Sequence, residues 1–434
     1  MSPTRRHAIT GMFRSRRIAA AALAAALPLS VATAVGTAGT AAAQDATQVE
    51  VPVTGAAQIP EPFATQADAE KAGYVPANEA GWRKWVYLQE DKDDSHAGDR
   101  YTRMEELQVH SPSMDRDIPV VTIRAKEDAG NAPTLYLLNG ADGGSGRANW
   151  LEQSSAIDFY ANKIGNVNVV IPMAGAFSYY TDWQQPSVFD KDGNDKGGVQ
   201  KWETFLTSEL PGVMEKDHLK TTNDKRAIVG MSMSASTTLV YAEQHPGLYG
   251  AIGSFSGCPA TSGGPANSVD AVFGAKGGQV SYEQMWGDRD GDIAHRNDAQ
   301  LNIDKLRDQQ NIYVSTGTGL MGEHDMPSGD ILRGNALGSV TPAVEGGVIE
   351  AATNNCTHAF KAKADQAGLD QIVYDFHPTG THQWGYWQDD MINSWPTIAN
   401  GLGLGEGAQQ VSDEYRAEYR ANHQGVGSAV PPLG

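Results

Sequence analysis

Seven short apolar runs recur along the middle of the chain, at 120–123, 135–138, 167–171, 227–229, 251–255, 312–314 and 372–374. Each run is nearly continuous rather than alternating with polar residues, which is typical of strands buried on both faces. Helical periodicity lies between the later runs, at 235–243 and 347–363. Strands that alternate with helices predict an α/β fold, a mostly parallel central sheet flanked by helices.

The segments on either side of this region have different patterns. Residues 1–43 contain five arginines, an apolar run at 19–35 and three alanines before Gln44, which together indicate a cleaved signal peptide. Sec and twin-arginine export both stay open, and no other stretch approaches the length of a membrane helix. We expect 44–98 to be a partly ordered extension, 99–400 the α/β domain and 401–434 a mobile tail.

Two polar, glycine-rich segments interrupt the alternation, at 262–298 and 317–338. Ligand sites of open α/β sheets are built by loops at the carboxyl ends of the strands. We therefore expect these two segments to form walls of a substrate site.

Charge and cysteine content narrow the function. The chain has 33 basic and 52 acidic residues, and removal of 1–43 leaves 28 basic residues, a net charge near −24. This acidity argues against nucleic acid or anionic lipid as a partner.

The two cysteines, Cys258 and Cys356, lack the spacing of a metal site and are expected to form a disulfide in an exported protein. We expect no metal and no cofactor.

One short motif suggests chemistry. Residues 226–234 read RAIVGMSMS, an apolar strand that runs into Gly-Met-Ser-Met-Ser and then into a helical stretch. The pattern is close to the G-x-S-x-G elbow, in which a nucleophilic serine sits on a strained strand-to-helix turn. The predicted nucleophile is Ser232, and the pattern departs from the motif only at Ser234.

A nucleophilic serine needs a histidine base and an acid that orients the histidine, and both are expected to follow it in the chain. His377 and His382 both lie just after the last predicted strand, and spacing does not choose between them. The acid is equally open, although Glu350 stands out because apolar residues surround it and an unpaired buried carboxylate is costly. The other candidate acids in the interval are Glu323, Asp325, Asp330 and Glu345.

Collinear sequence blocks then narrow these alternatives. KWETFLTSELP at 201–211 resembles a segment of the antigen 85 family, the secreted mycolyltransferases of mycolic-acid-bearing actinobacteria. Further blocks agree in the same order over about 105–400, and the long N-terminal extension is more similar to the corynebacterial branch. These blocks are SPSMDRD at 111–117, YLLNG at 136–140, SYYTDW at 178–183, GMSM at 230–233, MWG at 285–287, RND at 296–298 and GTHQW at 380–384.

The resemblance implies an α/β-hydrolase fold and a catalytic triad of Ser232, Glu350 and His382. It also implies an oxyanion hole made by the backbone N–H groups of Met233 and Ala141. Trp150 and Trp384 match family positions near the sugar site.

Some positions depart from the family. Asn139 stands where the family has a trehalose-binding aspartate, so we expect it to contact sugar without a charge. The family's short disulfide before residue 201 is absent, Cys258 and Cys356 are additional, and an insertion lies around 322–342.

The implied reaction is ping-pong acyl transfer from trehalose monomycolate to a trehalose mycolate, cell-wall arabinan or a protein serine. Such a transfer requires an apolar channel for the lipid and poor access for water. An ester hydrolase of the same fold and a non-catalytic wall-binding protein are the alternatives.

Overall fold

The computed structural model describes residues 62–72, 80–87, 103–187, 197–274, 280–326 and 336–423, all within one compact unit, Val51–Gly434. The predicted signal peptide at 1–43 lies outside these residues. Within the described residues, no helix combines the length and apolar character that crossing a membrane requires.

An eight-stranded sheet forms the centre of the fold, in the order β1-β2-β4-β3-β5-β6-β7-β8. The pairs β1–β2 and β2–β4 are antiparallel, and every other neighbouring pair is parallel. The predicted mostly parallel α/β sheet is therefore confirmed. The strands are β1 Met104–Ser111, β2 Arg116–Ile123, β3 Thr134–Leu138, β4 Asn168–Pro172, β5 Arg226–Met231, β6 Ala251–Phe255, β7 Ile312–Thr316 and β8 Ile372–Phe376.

The seven apolar runs overlap β2 to β8. Strands β3, β4, β6 and β7 are buried along their whole length, and β5 is buried after its first residue, Arg226. Strand β1 was not predicted, because glutamates, a glutamine and a histidine interrupt its apolar residues. One of those glutamates, Glu106, is fully buried and forms a two-pronged ion pair with Arg83. A carboxylate that is paired with a cation can lie inside a protein. The polar residues of β1 therefore broke the apolar run that would have predicted a buried strand.

Helices cover the sheet, with α6 packed against β5 and β6, α10 against β7, and α11 against β5, β6 and β7. The α-helices are α1 Gln66–Ala72, α2 Arg83–Val86, α3 Trp150–Gln153, α4 Trp202–Thr204, α5 Leu210–Gly212, α6 Met233–Gln244, α7 Ala266–Gly274, α8 Tyr282–Trp286, α9 Asp292–Arg296, α10 Ala336–Ala367, α11 Trp384–Leu402 and α12 Ala408–His423. Helical turns of π type occupy Asp158–Ile164, Phe205–Glu209 and Val213–His218, and 3₁₀ turns occupy Ile303–Leu306 and Glu323–Asp325.

The end of the chain differs from the expected mobile tail at 401–434. Helix α12 packs against α11, and the Ser412 hydroxyl donates to the carbonyl of Ile392. Tyr415 is buried beside Phe159. Only a narrow apolar face of α12 reaches the core. Because this helix is rich in charged residues and glutamine, the sequence did not predict a packed helix here. Residues 424–434 lie outside the described residues.

Candidate active site

The strand-to-helix turn of the RAIVGMSMS motif holds Ser232 in an unusual backbone conformation. β5 ends at Met231, α6 begins at Met233, and the residue between them has φ 57° and ψ −120°. A positive φ is uncommon for a residue with a side chain and is found preferentially at functional sites. The Ser232 N–H donates to the carbonyl of Phe255 at 2.8 Å, which ties the turn to β6.

Ser234, which departs from the G-x-S-x-G motif, has a structural part in the turn. Its hydroxyl accepts the Met231 N–H at 3.0 Å and lies 3.1 Å from the Met231 carbonyl. A Cβ added at Gly230 would lie 2.6 Å from the Ser234 carbonyl oxygen, so the first glycine is needed for this close approach. Serine at the fifth position thus satisfies backbone groups that glycine would leave to other partners.

The three predicted triad residues come together at the carboxyl end of the sheet. The Ser232 Oγ lies 2.7 Å from His382 Nε2, and His382 Nδ1 lies 2.7 Å from Glu350 Oε2. Since an ionised carboxylate only accepts, His382 Nδ1 carries the proton and donates it to Glu350. His382 Nε2 is then free to accept from the serine hydroxyl, as a general base must.

Glu350 is held by more than the histidine. Its side chain is almost fully buried on α10, and its Oε1 accepts from the Gly317 N–H at 2.6 Å, the Ser256 hydroxyl at 2.8 Å and the Thr316 hydroxyl at 3.0 Å. Burial by itself raises the pKa of Glu350, but His382, the Gly317 N–H and the Ser256 hydroxyl outweigh it and lower the pKa below the ordinary 4.5. Glu350 therefore stays ionised in the site.

Sequence reasoning missed these supporting donors, although their positions carried a signal. Ser256 directly follows β6, and Thr316 is the last residue of β7. Polar residues at the carboxyl ends of neighbouring parallel strands meet at the same edge of the sheet.

His377, the alternative histidine, is engaged elsewhere. Its Nε2 lies 2.7 Å from Asp390 Oδ1, on α11. Burial lowers the pKa of His377, but the bond to Asp390 and the nearby carboxylates outweigh it and raise the pKa to about 9. The Nδ1 lies 3.8 Å from Asp375, so the three side chains have ligand atoms close enough to hold a metal ion. A protonated histidine between two carboxylates accounts for the cluster without an ion, and the expected absence of a metal stays a prediction.

The predicted oxyanion loop follows β3 and approaches the nucleophile closely. A Cβ added at Gly140 would lie 3.6 Å from the Ser232 Cβ, and Ala141 comes next in the chain. Gly143 and Gly144 have φ of 66° and 81°, and a side chain on either would clash with neighbouring atoms. The loop therefore turns beside Ser232 in a conformation that depends on glycine.

Two residues expected to contact sugar do not face the site. Asn139 is fully buried, its Nδ2 donates to the Pro172 carbonyl at 3.0 Å, and its Oδ1 accepts the Trp150 N–H at 3.2 Å. Trp150 is also fully buried and donates its indole N–H to the Leu138 carbonyl at 2.9 Å. Without exposed surface, neither contacts a sugar in this structure, so the expectation for both is corrected to a packing role.

Trp384 begins α11 and is largely buried. Its ring packs edge-on against Trp150 and Trp387, at centroid separations of 5.5 and 5.2 Å, and Trp387 in turn packs against the His382 ring at 4.9 Å. These contacts support the loop that carries His382. A sugar contact of Trp384 stays a prediction.

The structure contains a disulfide between Cys258 and Cys356, with their Cα atoms 5.1 Å apart. It joins the loop that follows β6 to α10, which carries Glu350.

Large apolar side chains are exposed on two segments whose backbone approaches the loop that carries His382. Leu320 is 64% exposed and Val348 is 71% exposed, and Met321 and Ile349 are also exposed. Close backbone approaches bring their segments to the histidine. The His382 N–H donates to the Gly346 carbonyl at 3.2 Å, and a Cβ added at Gly319 would lie 2.3 Å from the Gly347 carbonyl oxygen.

Comparison with known proteins places this geometry in a family. The family model described as "Putative esterase" matches residues 111–398. The diacylglycerol acyltransferase/mycolyltransferase Ag85A of Mycobacterium tuberculosis is 35% identical over 306 residues, which cover 69% of this chain and 82% of Ag85A. Ag85A of Mycobacterium leprae is 32% identical over 311 residues, which cover 70% of this chain and 85% of that protein.

A solved structure supports the same fold. The crystal structure of Mycobacterium tuberculosis MPT51 has a TM-score of 0.52 and 24% identity, and the match covers 71% of this chain and 98% of MPT51. The predicted family resemblance and the α/β-hydrolase fold are both confirmed. On its sequence match to these relatives, the chain belongs to the antigen 85 mycolyltransferase family and is an acyltransferase enzyme.

Proposed function

We propose that this protein is an exported mycolyltransferase. It moves a mycolyl group from trehalose monomycolate, through an acyl-enzyme on Ser232, to a hydroxyl acceptor of the cell envelope. The acceptor is a second trehalose monomycolate, arabinogalactan or a protein serine. The observation that carries the proposal is the hydrogen-bonded chain of Ser232, His382 and Glu350 at a strained turn, in a member of a mycolyltransferase family.

In the first half-reaction, Ser232 Oγ attacks the ester carbonyl of the donor, and its proton passes to His382 Nε2. The tetrahedral intermediate collapses as His382 returns that proton to the departing trehalose oxygen. The ester bond to trehalose breaks, and an ester bond to Ser232 forms. Glu350 stabilises the imidazolium that exists between the two proton transfers.

In the second half-reaction, the acceptor hydroxyl takes the place of trehalose. His382 Nε2 removes the acceptor's proton while its oxygen attacks the acyl-enzyme carbonyl. The Ser232–acyl bond then breaks, and the same proton returns to Ser232 Oγ. The acceptor leaves as a mycolyl ester and the enzyme regains its starting state.

The N–H groups of Met233 and Ala141 are assigned to stabilise the oxyanion of both intermediates. Met233 is the first residue of α6, where unpaired N–H groups and the helix dipole favour negative charge. Gly140 lies against Ser232, so the next N–H in the chain is close to the nucleophile. Loss of one such donor commonly lowers the rate by about 10²–10³.

A lipid acyl group is supported by the surface beside the triad. Leu320, Val348 and Ile349 expose large aliphatic side chains on segments whose backbone approaches the loop that carries His382. Such exposed apolar groups commonly mark a binding surface for apolar ligands.

The decisive experiment separates transfer from hydrolysis. The purified protein is incubated with trehalose monomycolate, and trehalose dimycolate is measured against free mycolic acid. The proposal expects dimycolate, or mycolylated acceptor when one is added, as the main product. Predominant free mycolic acid would identify a secreted ester hydrolase instead.

A second experiment tests the nucleophile and the non-catalytic alternative. A fluorophosphonate should label the wild-type protein and the control variant Ser236→Ala, whose serine lies in the first turn of α6, just after the nucleophile turn. The variant Ser232→Ala should take no label and form no product. Labelling that persists in Ser232→Ala would reject this assignment, and a wild-type protein with neither label nor product would favour a wall-binding role.

Export is a separate part of the proposal. The exported protein is expected to begin at Gln44, which N-terminal sequencing checks. A protein that retains residues 1–43 outside the cell would contradict the predicted cleavage.

A further inference from the structure

The segment between Phe177 and Tyr180 has an unusual backbone. Three of its residues carry bulky aromatic side chains in the left-handed region, with φ of 56° at Phe177, 51° at Tyr179 and 48° at Tyr180. A positive φ is a genuine outlier for a bulky residue, and it persists only where the surroundings over-determine it. Three outliers within four residues therefore call for a specific set of contacts.

This segment contacts both residues whose N–H groups are assigned to the oxyanion hole. The Phe177 N–H donates to the Ala141 carbonyl at 2.7 Å, and the Tyr179 N–H lies 3.3 Å from Met233 Sδ. The chain just before it also lies against the oxyanion loop, since a Cβ added at Gly143 would come within 2.5 Å of the Ala176 nitrogen. The strained segment thus contacts both the loop that follows β3 and the first residue of α6.

Helix α6 holds the segment from the other side. The Thr237 hydroxyl donates to the Tyr179 carbonyl at 2.5 Å, and the Tyr241 hydroxyl donates to the Tyr180 carbonyl. Both side chains are buried, and they lie one turn apart on the helix that begins at Met233. Two strained residues therefore have their carbonyl groups fixed by the helix that also presents one oxyanion donor.

We propose that 177–180, clamped by Thr237 and Tyr241, sets the position of the Ala141 N–H relative to the Met233 N–H. The bond from Phe177 to the Ala141 carbonyl fixes the peptide plane that follows Ala141, which constrains the direction of the N–H on the same residue. Thr237 and Tyr241 are positioning residues, because they act through this segment and not on substrate. The inference rests on the proposed function, which assigns the two N–H groups to the oxyanion.

The structure provides a matched pair of variants on α6. Thr237→Val removes the hydroxyl bonded to Tyr179 and keeps the shape of the side chain. Thr238→Val is the control, because the buried Thr238 hydroxyl bonds instead to the carbonyls of Ala235 and Gly253, away from the segment. Each variant loses a buried hydroxyl, so similar decreases in the unfolding midpoint are expected.

The two variants should differ in catalysis. For Thr237→Val we expect kcat to fall on the order of tenfold with KM within twofold, since an oxyanion donor is displaced and not lost. The rate of fluorophosphonate labelling at Ser232 should fall in parallel, because the phosphoryl oxygen occupies the oxyanion hole. Thr238→Val should keep both rates within twofold of wild type, and Tyr241→Phe should repeat the Thr237→Val result.

Two outcomes would overturn the inference. One is a Thr237→Val protein, destabilised like the control, that keeps wild-type kcat and labelling rate. The other is an equal loss of kcat in Thr237→Val and Thr238→Val, which would mean that general destabilisation is responsible. Wild-type protein and Ser232→Ala are run in parallel: absence of labelling in the wild type rejects the proposed function itself, a result that the α6 variants cannot produce.

Discussion

Replacement of Glu350 by glutamine tests the triad through a change of one atom. Oε1 accepts hydrogen bonds from Ser256, Thr316 and the Gly317 N–H, so the amide oxygen of the new residue must take this place. The amide NH₂ then faces His382 Nδ1, which must accept from it. His382 Nε2 would carry the proton and could no longer accept one from the nucleophile.

The size of the effect follows from these contacts. The active tautomer would place two donors face to face at the 2.7 Å separation of Nδ1 and Oε2, in a buried site. Loss of a hydrogen bond to a charged group removes about 1.5–3 kcal/mol, and an unsatisfied buried donor costs about 1–3 kcal/mol. The sum of about 2.5–6 kcal/mol corresponds to a fall in kcat of about 10²–10⁴, at about 1.36 kcal/mol for each factor of ten.

The assay measures dimycolate formation from trehalose monomycolate at saturating donor, together with the fluorophosphonate labelling rate. Glu345→Gln is the matched control, because it makes the same change at an exposed position of α10, and it should behave like wild type. A Glu350→Gln enzyme with kcat within tenfold of wild type would refute the tautomer argument. Inactivity of Glu345→Gln would indicate damage to the helix.

Three further predictions concern stability. Burial raises the pKa of Glu243 well above 4.5, so the native state loses stability as pH rises above the unfolded pKa; Glu243→Gln should flatten this dependence in urea unfolding. Reduction of Cys258–Cys356, which spans 98 residues, should lower the free energy of unfolding by about 2–4 kcal/mol, measured with and without reductant. Burial raises the pKa of Glu203, but the hydrogen bonds and charges of His245 and Arg296 outweigh burial and lower the pKa to about 2. That stabilisation is present above pH 4.5 and is lost as pH falls towards 2, so Glu203→Gln should cost about 3 kcal/mol at pH 7, and its deficit should shrink on acid titration.

The sheet could be predicted from the sequence because its central strands are buried on both faces, and such strands consist of nearly continuous apolar residues. The position of Ser232 could be predicted because the turn from β5 to α6 needs glycine at position 230, and Ser232 is the residue between the strand and the helix. The choice between His377 and His382 was not predictable from spacing. Both follow β8, and a loop that turns at Gly380, with φ 128°, decides which ring reaches the nucleophile.

The apolar neighbours of Glu350 singled it out in the sequence, but they do not explain why its carboxylate is buried. Its apolar neighbours suggested a buried stretch of helix, yet Val348 is 71% exposed and Ile349 is also exposed, while Glu350 itself is almost fully buried. The carboxylate faces inward because Gly317, Ser256 and His382 supply its hydrogen bonds, which no local pattern records. The apolar neighbours Val348 and Ile349 are exposed instead.

Asn139 is a second residue whose contacts differ from the role that its position in the sequence suggested. Seen as a substitution of the family's aspartate, it suggested a sugar contact that had lost its charge. In the structure its amide donates to the Pro172 carbonyl and accepts the Trp150 N–H, so it joins the ends of β3 and β4 to the start of α3. An ionised carboxylate could accept but not donate, and it would face the Pro172 carbonyl at 3.0 Å. The amide is therefore fitted to hold the strand that leads into Ala141, and any recognition of sugar in this enzyme must come from side chains that reach the surface.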